Sequence, residues 1–172
     1  MIRFLNKNEF NITRKLFSDC FMDDEFEAEY YAEDGAVQGH RIAVIEENGI
    51  IIAMLHLAPM KAVYADGHSE YTEYILCVGT NPGFRHKGYM DKLMKWTEER
   101  LTEEELGWTF LVAVNKDIYR HLGYIYDWSF NKDEAELLFA DEGLTDCSAK
   151  LLCDKTFTAP VRLEKVFNRQ TK

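Results

Sequence analysis

The chain has 172 residues, 47% of them hydrophobic and 29% charged, and carries a net charge of −10. Such a chain folds, buries a sizeable core, and is expected to form a single domain over residues 1–172. The acidic balance argues against nucleic acid and anionic membrane surfaces as partners, because both need a basic footprint, and it fits a cationic or amine-bearing partner.

Residues 2–5 read as a first strand. Asn6 and Asn8 offer helix caps. Ile12, Leu16, Phe17, Cys20 and Phe21 then recur at helical spacing, which predicts a helix with one apolar face. Residues 22–34 combine Asp23, Asp24, Glu25, Glu27, Glu29 and Glu33 with Phe26, Tyr30 and Tyr31, and read as a second short helix. Two readings of that segment stay open: a solvated acidic face over packed aromatics, or part of an acceptor pocket for a cationic amine. Residues 41–46 and 50–57 are β-prone runs joined by Glu47-Asn48-Gly49, and Asn-Gly between such runs marks a hairpin. Residues 60–64 extend the second run or add a strand before the Asp66-Gly67 turn. Residues 71–80 form the next strand, which Asn81, Pro82 and Gly83 end.

After Gly88 a long amphipathic helix follows. Met90, Leu93, Met94 and Leu101 fall on one stripe, Asp91, Lys92, Lys95, Glu98, Glu99 and Arg100 take the other sides, and Gly107 ends the region. Residues 108–114 are a continuous apolar strand suited to a buried central position. Residues 115–122 make a short helix that Gly123 stops, and residues 124–130 another strand. Beyond Asn131 the pattern weakens: 136–139 and 150–152 read as strands, 161–167 as strand or helix. These late residues complete a hairpin or supply a homodimer contact, and both readings stay open.

No run approaches the ~20 apolar residues of a membrane span, and residues 1–5 lead straight into polar sequence, so no membrane partner and no secretory signal are expected. Cys20, Cys77, Cys147 and Cys153 are scattered, without a Cys-x-x-Cys pair or zinc spacing, so no metal is expected. Cys20 and Cys77 lie in apolar periodic segments and read as buried thiols, and the localisation that follows is a reducing cytoplasm.

The chemistry concentrates at residues 74–100. A strand, the turn Arg85-His86-Lys87-Gly88, and a helix follow one another there. Such a turn aims backbone N–H groups outward from a helix N-terminus, which carries partial positive charge and binds anions. Arg85 and Lys87 add two full charges, and Gly88 lets a phosphate approach the backbone closely. A pyrophosphate is the anion these features suit.

The run Val78-Gly79-Thr80-Asn81-Pro82-Gly83-Phe84-Arg85-His86-Lys87-Gly88-Tyr89-Met90 resembles the acetyl-CoA-binding motif of the GNAT N-acetyltransferase superfamily. Met90 stands where the family usually has a second glycine, as in the branch related to the enhanced-intracellular-survival acetyltransferases. A second stretch, Asn115 followed by Ile118-Tyr119-Arg120-His121-Leu122-Gly123-Tyr124, is similar to the second GNAT motif and comes in the family's order. Together the resemblance covers residues 1–130. It implies an α/β (α+β) fold with a mixed, mostly antiparallel central sheet flanked by helices and splayed at the acetyl-CoA site. It also implies acetyl transfer from acetyl-CoA to a primary amine of a small molecule or peptide, by direct attack in a ternary complex. A CoA-binding sensor of the same fold without turnover is the alternative. A nucleotide-binding protein is disfavoured, since neither G-x-x-x-x-G-K-[ST] nor G-x-G-x-x-G occurs.

In this resemblance Val78, Gly79, Thr80, Arg85, His86, Lys87, Gly88, Tyr89, Met90 and Asn115 bind the cofactor. His86 contributes mainly its backbone N–H, Asn115 holds the pantetheine chain or a water, and the Val78 N–H is a candidate oxyanion donor. Tyr119 is the acid for the leaving thiolate, since a phenol of pKa near ~10 is protonated at neutral pH. Glu73 and His56 are the candidate bases. Period two puts Glu73 on the face opposite Val78 and Thr80, unless a bulge near Val78 breaks the alternation. His56, expected to titrate near neutrality, offers a proton relay or is a satisfied core histidine. The Met90 branch draws on a C-terminal carboxylate from a later domain, for which 172 residues leave no room.

Overall fold

A computed structural model describes residues 1–21, 39–129 and 146–166. The acidic segment 22–34, the run 136–139 and the end of the run 161–167 lie outside the described residues. The chain forms two compact units, Met1–Ala58 with Leu76–Arg100, and Pro59–Ile75 with Leu101–Lys172. Among the described residues, one sheet of eight strands follows the order β1 (Ile2–Phe4), β2 (Arg41–Glu47), β3 (Ile50–Val63), β4 (Ser69–Thr80), β5 (Trp108–Val112), β7 (Asp146–Leu151), β6 (Tyr126–Ser129), with β8 (Arg162–Lys165) paired to β3. Strands β3 (Ile50–Val63) and β4 (Ser69–Thr80) and helix α2 (Tyr89–Glu103) each run from one unit into the other. The sheet is thus mixed and mostly antiparallel, with a parallel pairing of β4 to β5.

In the first unit β1 (Ile2–Phe4) pairs with β2 (Arg41–Glu47), and β2 with β3, all antiparallel. Asn48 and Gly49 both take left-handed φ, 53° and 76°, so the hairpin closes in the primed turn that Asn-Gly favours. The segment expected as one helix over 12–21 starts instead as a 3-10 stretch, Lys7–Thr13, before α1 (Arg14–Phe21). Its first turn is closed locally: the Asn6 N–H donates to the Glu9 carboxylate at 2.8 Å and the Glu9 N–H to the Asn6 carbonyl at 2.8 Å. Three residues per turn bring Phe10, Thr13 and Leu16 inward and leave Ile12 44% exposed, where helical spacing had placed it inside. Phe10, Leu16 and Phe17 then join Leu5, Ile42, Val44 and Met54 in one core.

In the second unit β4 and β5 (Trp108–Val112) pair in parallel over Glu73–Ile75, and the register ends at Ile75↔Leu111. Strand β5 also pairs antiparallel with β7 (Asp146–Leu151), which pairs with β6 (Tyr126–Ser129). Lying between two strands, β5 buries Trp108 to Leu111 on both faces, as the start of its apolar run predicts, but the strand expected over 108–114 ends at Val112 and Val114 is 85% exposed. Strand β8 (Arg162–Lys165) resolves the ambiguous 161–167 run by pairing Leu163 with Ala62 of β3. Residues 60–63 therefore extend β3 and do not add a strand. Trp108, Phe110, Trp128 and Phe157 stack in one aromatic core, with centroids 5.5–5.8 Å apart where they meet edge-on.

Helix α2 ends where a non-glycine residue turns left-handed. Glu105 has φ 63°, and the Leu106 N–H reaches back to the Leu101 carbonyl at 3.1 Å. Gly107, expected as the terminator, lies beyond this left-handed residue, and a methyl there would meet the far end of the flexible Lys155 side chain, Nζ at 2.6 Å. No helix among the described residues is long and apolar enough to cross a membrane.

Candidate active site

The first unit carries the anion turn. Strand β4 ends at Thr80, and the Asn81 side chain caps a single 3-10 turn (Pro82–Phe84) by accepting the Gly83 N–H at 3.0 Å. The Asn81 N–H donates to Ile52 of β3 at 2.8 Å, which fixes where the turn leaves the sheet. His86 and Gly88 both adopt left-handed φ, 62° and 76°. The Gly88 carbonyl then accepts the Lys92 N–H at 3.1 Å, which opens α2 and turns the positive end of the helix toward the basic turn. A methyl on Gly88 would meet nothing within 4 Å, so the glycine is required by its φ and not by crowding.

Arg85, His86, Lys87 and Gly88 are all exposed. The Arg85 Nε–H donates to the Thr80 carbonyl at 3.2 Å, and Lys87 Nζ donates to the Gly83 carbonyl at 3.3 Å while lying 5.1 Å from the centre of the Phe84 ring. Both cations are tethered by the backbone of the turn, so the positive field is held at the start of α2. Tyr89 and Met90 are half-buried, and the Tyr89 hydroxyl donates to Glu47 at 3.4 Å.

Within β4, Gly79 packs directly on α1. A methyl on Gly79 would lie 2.9 Å from Cys20 Sγ and 3.5 Å from Met54 Cε. The Cys20 thiol donates to the Thr80 carbonyl at 3.4 Å. Burial pushes that thiol up from its usual range, and the neighbouring Arg85 guanidinium pulls it partly back. Cys20 and Cys77, read from sequence as buried, are both half-buried free thiols. The sequence reading missed the contact between positions 20 and 79. A lone glycine inside a strand run was its one available signal, since it marks close approach of another backbone or side chain.

Cys77 departs from the extended conformation at φ 51°, the backbone signature of a bulge. The period-two count from Thr80 therefore does not carry back past Cys77. Glu73, in the second unit, is 1% exposed and its carbonyl accepts the Thr109 hydroxyl at 2.7 Å. His56, in the first unit, is also 1% exposed, with the Phe17 ring 6.5 Å away. Burial pushes its imidazole down to about 3, with the nearby His40 adding to the effect. The expected titration near neutrality does not occur, because a charged imidazole here would lose its hydration.

The second unit carries Asn115 and Tyr119. Asn115 is exposed and its side chain accepts the Asp117 N–H at 3.0 Å, a local turn just ahead of α3 (Asp117–Arg120), whose N-cap is Lys116. Tyr119 is half-buried, its ring edge-on to Tyr124 at 6.2 Å, and burial pushes its phenol up. Gly123, at φ 96°, ends the turn as expected. Arg120, one residue on, clamps the segment: it donates to the Tyr124 carbonyl at 3.0 Å and to both oxygens of Asp127 on β6. This guanidinium, with Ser148 and Lys116 beside it, holds the Asp127 carboxyl down at about 2. The Arg120–Asp127 pair was not read from the sequence, because nothing in the local pattern ties position 120 to the next strand.

Comparison with known proteins decides the family. The acetyltransferase (GNAT) domain family matches residues 1–126. The chain belongs to the GNAT acetyltransferase family. No functionally curated protein matches it. Among solved structures, the GNAT domain is similar to a GNAT family N-acetyltransferase from Escherichia coli in complex with CoA, with TM-score 0.64 and 15% identity over 90% of this chain and 82% of that one. It is similar to a GNAT acetyltransferase from Brucella melitensis in complex with acetyl-CoA, with TM-score 0.63 and 17% identity over 73% of this chain and 82% of that one. It is also similar to Eis1 from Mycobacterium abscessus, with TM-score 0.61 and 17% identity over 75% of this chain and 33% of that one. The chain spans about a third of the length of several such structures, between 32% and 36%. At these identities the likeness concerns the fold.

Proposed function

We propose that this GNAT domain is an acetyl-CoA-dependent N-acetyltransferase that moves an acetyl group to a primary amine of a small molecule or peptide, by direct attack in a ternary complex. The observation that carries this reading is the turn at Gly88. Left-handed His86 and Gly88, the N-terminus of a 15-residue helix with its partial positive charge, and two tethered cations together suit the pyrophosphate of CoA. In this reading His86, Lys87, Gly88, Tyr89 and Met90 supply backbone and charge to the phosphates. Val78, Gly79, Thr80 and Asn115 serve the pantetheine arm.

The chemistry asks for little more. The amine loses a proton, attacks the thioester carbonyl, and the thiolate leaves. The Val78 N–H is the oxyanion donor. Tyr119 donates the proton to the thiolate, and the burial that raises its pKa keeps it protonated. Glu73 is the favoured base. A base whose conjugate acid has a pKa of about 3, as His56 has, takes no proton from an ammonium. The backbone break at Cys77 keeps Glu73 in contention. The branch related to the enhanced-intracellular-survival enzymes is supported by Met90. The four free thiols fit a reducing cytoplasm.

The neutrality of His56 also favours a second reading, a CoA-binding sensor that lacks a competent base. Free-thiol release from acetyl-CoA with a panel of primary amines separates the two. Amine-dependent release is expected. Tight CoA binding without release across the panel would establish the sensor instead.

A further inference from the structure

We propose that Cys20 of α1 is a positioning residue for the cofactor-binding strand end, holding Gly79, Thr80 and Arg85 in the arrangement that receives CoA. This inference rests on the reading of β4 and the Gly88 turn as a CoA site. Three observations within the first unit meet at one sulfur atom. The thiol occupies the space a side chain at position 79 would need, 2.9 Å from where a methyl would stand. Its S–H donates to the Thr80 carbonyl at 3.4 Å. That same carbonyl accepts the Arg85 Nε–H at 3.2 Å.

The consequence is a relay of position and not of charge. The carbonyl of Thr80 belongs to the last peptide of β4, and its orientation sets that of the neighbouring N–H groups. With two donors converging on one oxygen, that peptide cannot rotate without breaking both contacts. The Arg85 side chain is anchored through its Nε, so fewer of its rotamers must be frozen when a phosphate arrives. Helix α1 thereby reaches the phosphate turn through a sulfur, a carbonyl and a guanidinium. Gly79 is small because Cys20 stands against it, and Cys20 stands there because Leu16 and Phe17 anchor the same helix in the core.

The test is a set of variants of the full chain, read by calorimetric titration with CoA and by acetyl-CoA kinetics. Cys20→Ala removes the donor and is expected to weaken CoA binding about three- to tenfold, in KM more than in kcat. Cys20→Ser keeps a donor and is expected to stay within about twofold of wild type. Gly79→Ala is expected to weaken CoA binding at least tenfold. Adding Cys20→Ala to it is expected to recover part of that loss, because the sulfur at 2.9 Å is gone and the new methyl then meets the β-carbon at position 20 at 3.3 Å and Met54 Cε at 3.5 Å. Near-wild-type CoA binding in Cys20→Ala would overturn the inference, and so would strictly additive losses in the double variant. Cys20→Ser behaving like Cys20→Ala, with the same thermal midpoint as wild type, would overturn the hydrogen-bonding role. If the wild-type chain itself does not bind CoA, the CoA-site reading fails first, and that outcome is distinct from the others.

Discussion

At the residue scale, two buried groups make separable predictions. His56 is held neutral by burial, with its imidazole pushed down to about 3 against an ordinary value of 6.5. The unfolded chain therefore takes up the proton first. Stability is full above about pH 6.5 and falls as the pH drops toward 3, by up to about 1.4 kcal/mol per pH unit from this one group. Urea unfolding of wild type and His56→Leu at pH 7, 6 and 5 checks this, and the variant is expected to show the shallower slope. Equal slopes would mean that His56 takes up its proton equally in both states. Tyr119 makes the second prediction. Tyr119→Phe keeps the ring against Tyr124 and removes the proton, so turnover is expected to fall about a hundredfold while acetyl-CoA affinity holds. Unchanged turnover would remove Tyr119 from the role of acid.

At the scale of elements, α2 ends on a strained residue. Glu105 sits at φ 63°, a conformation that costs an L-residue about 1 kcal/mol and costs glycine nothing comparable. Glu105→Gly is expected to raise the thermal midpoint by about 2–4 °C, as about 1 kcal/mol does in a chain of this size. A lowered midpoint would show that the carboxylate's own contacts outweigh the strain. The same helix shows what could be read beforehand and what could not. The turn at Gly88 was legible as a basic, glycine-containing break before an amphipathic stripe, while the left-handed φ of His86 and Gly88 was not. The Asn48-Gly49 hairpin and the buried β5 were legible for the same kind of reason, since local chemistry alone dictates them. The left-handed Glu105 was not, because that residue type does not advertise the conformation. The 3-10 entry to α1 was hidden as well. Asn6 and Glu9 advertise a cap, but a cap does not say whether the next turn holds three residues or 3.6. The Cys20–Gly79 contact and the Arg120–Asp127 clamp depend on where distant segments meet, which no window of sequence contains.

At the scale of the whole molecule, two compact units share strands β3 and β4 and helix α2. Each unit contributes residues that the GNAT resemblance singles out: Val78 to Met90 and His56 in the first, Glu73, Asn115 and Tyr119 in the second. The family and the fold follow from the match over residues 1–126 and from the solved relatives. The acetyl donor rests on the Gly88 turn. In the proposed CoA site, removing the Arg85 side chain would take away a charge-assisted phosphate contact worth about 1.5–3 kcal/mol and, with it, roughly ten- to hundredfold in affinity. The direct measurement is a calorimetric titration of acetyl-CoA into wild type and Arg85→Ala at fixed ionic strength. The account predicts binding to wild type and at least a tenfold weaker constant for the variant. Equal constants, or no binding to wild type, would contradict it.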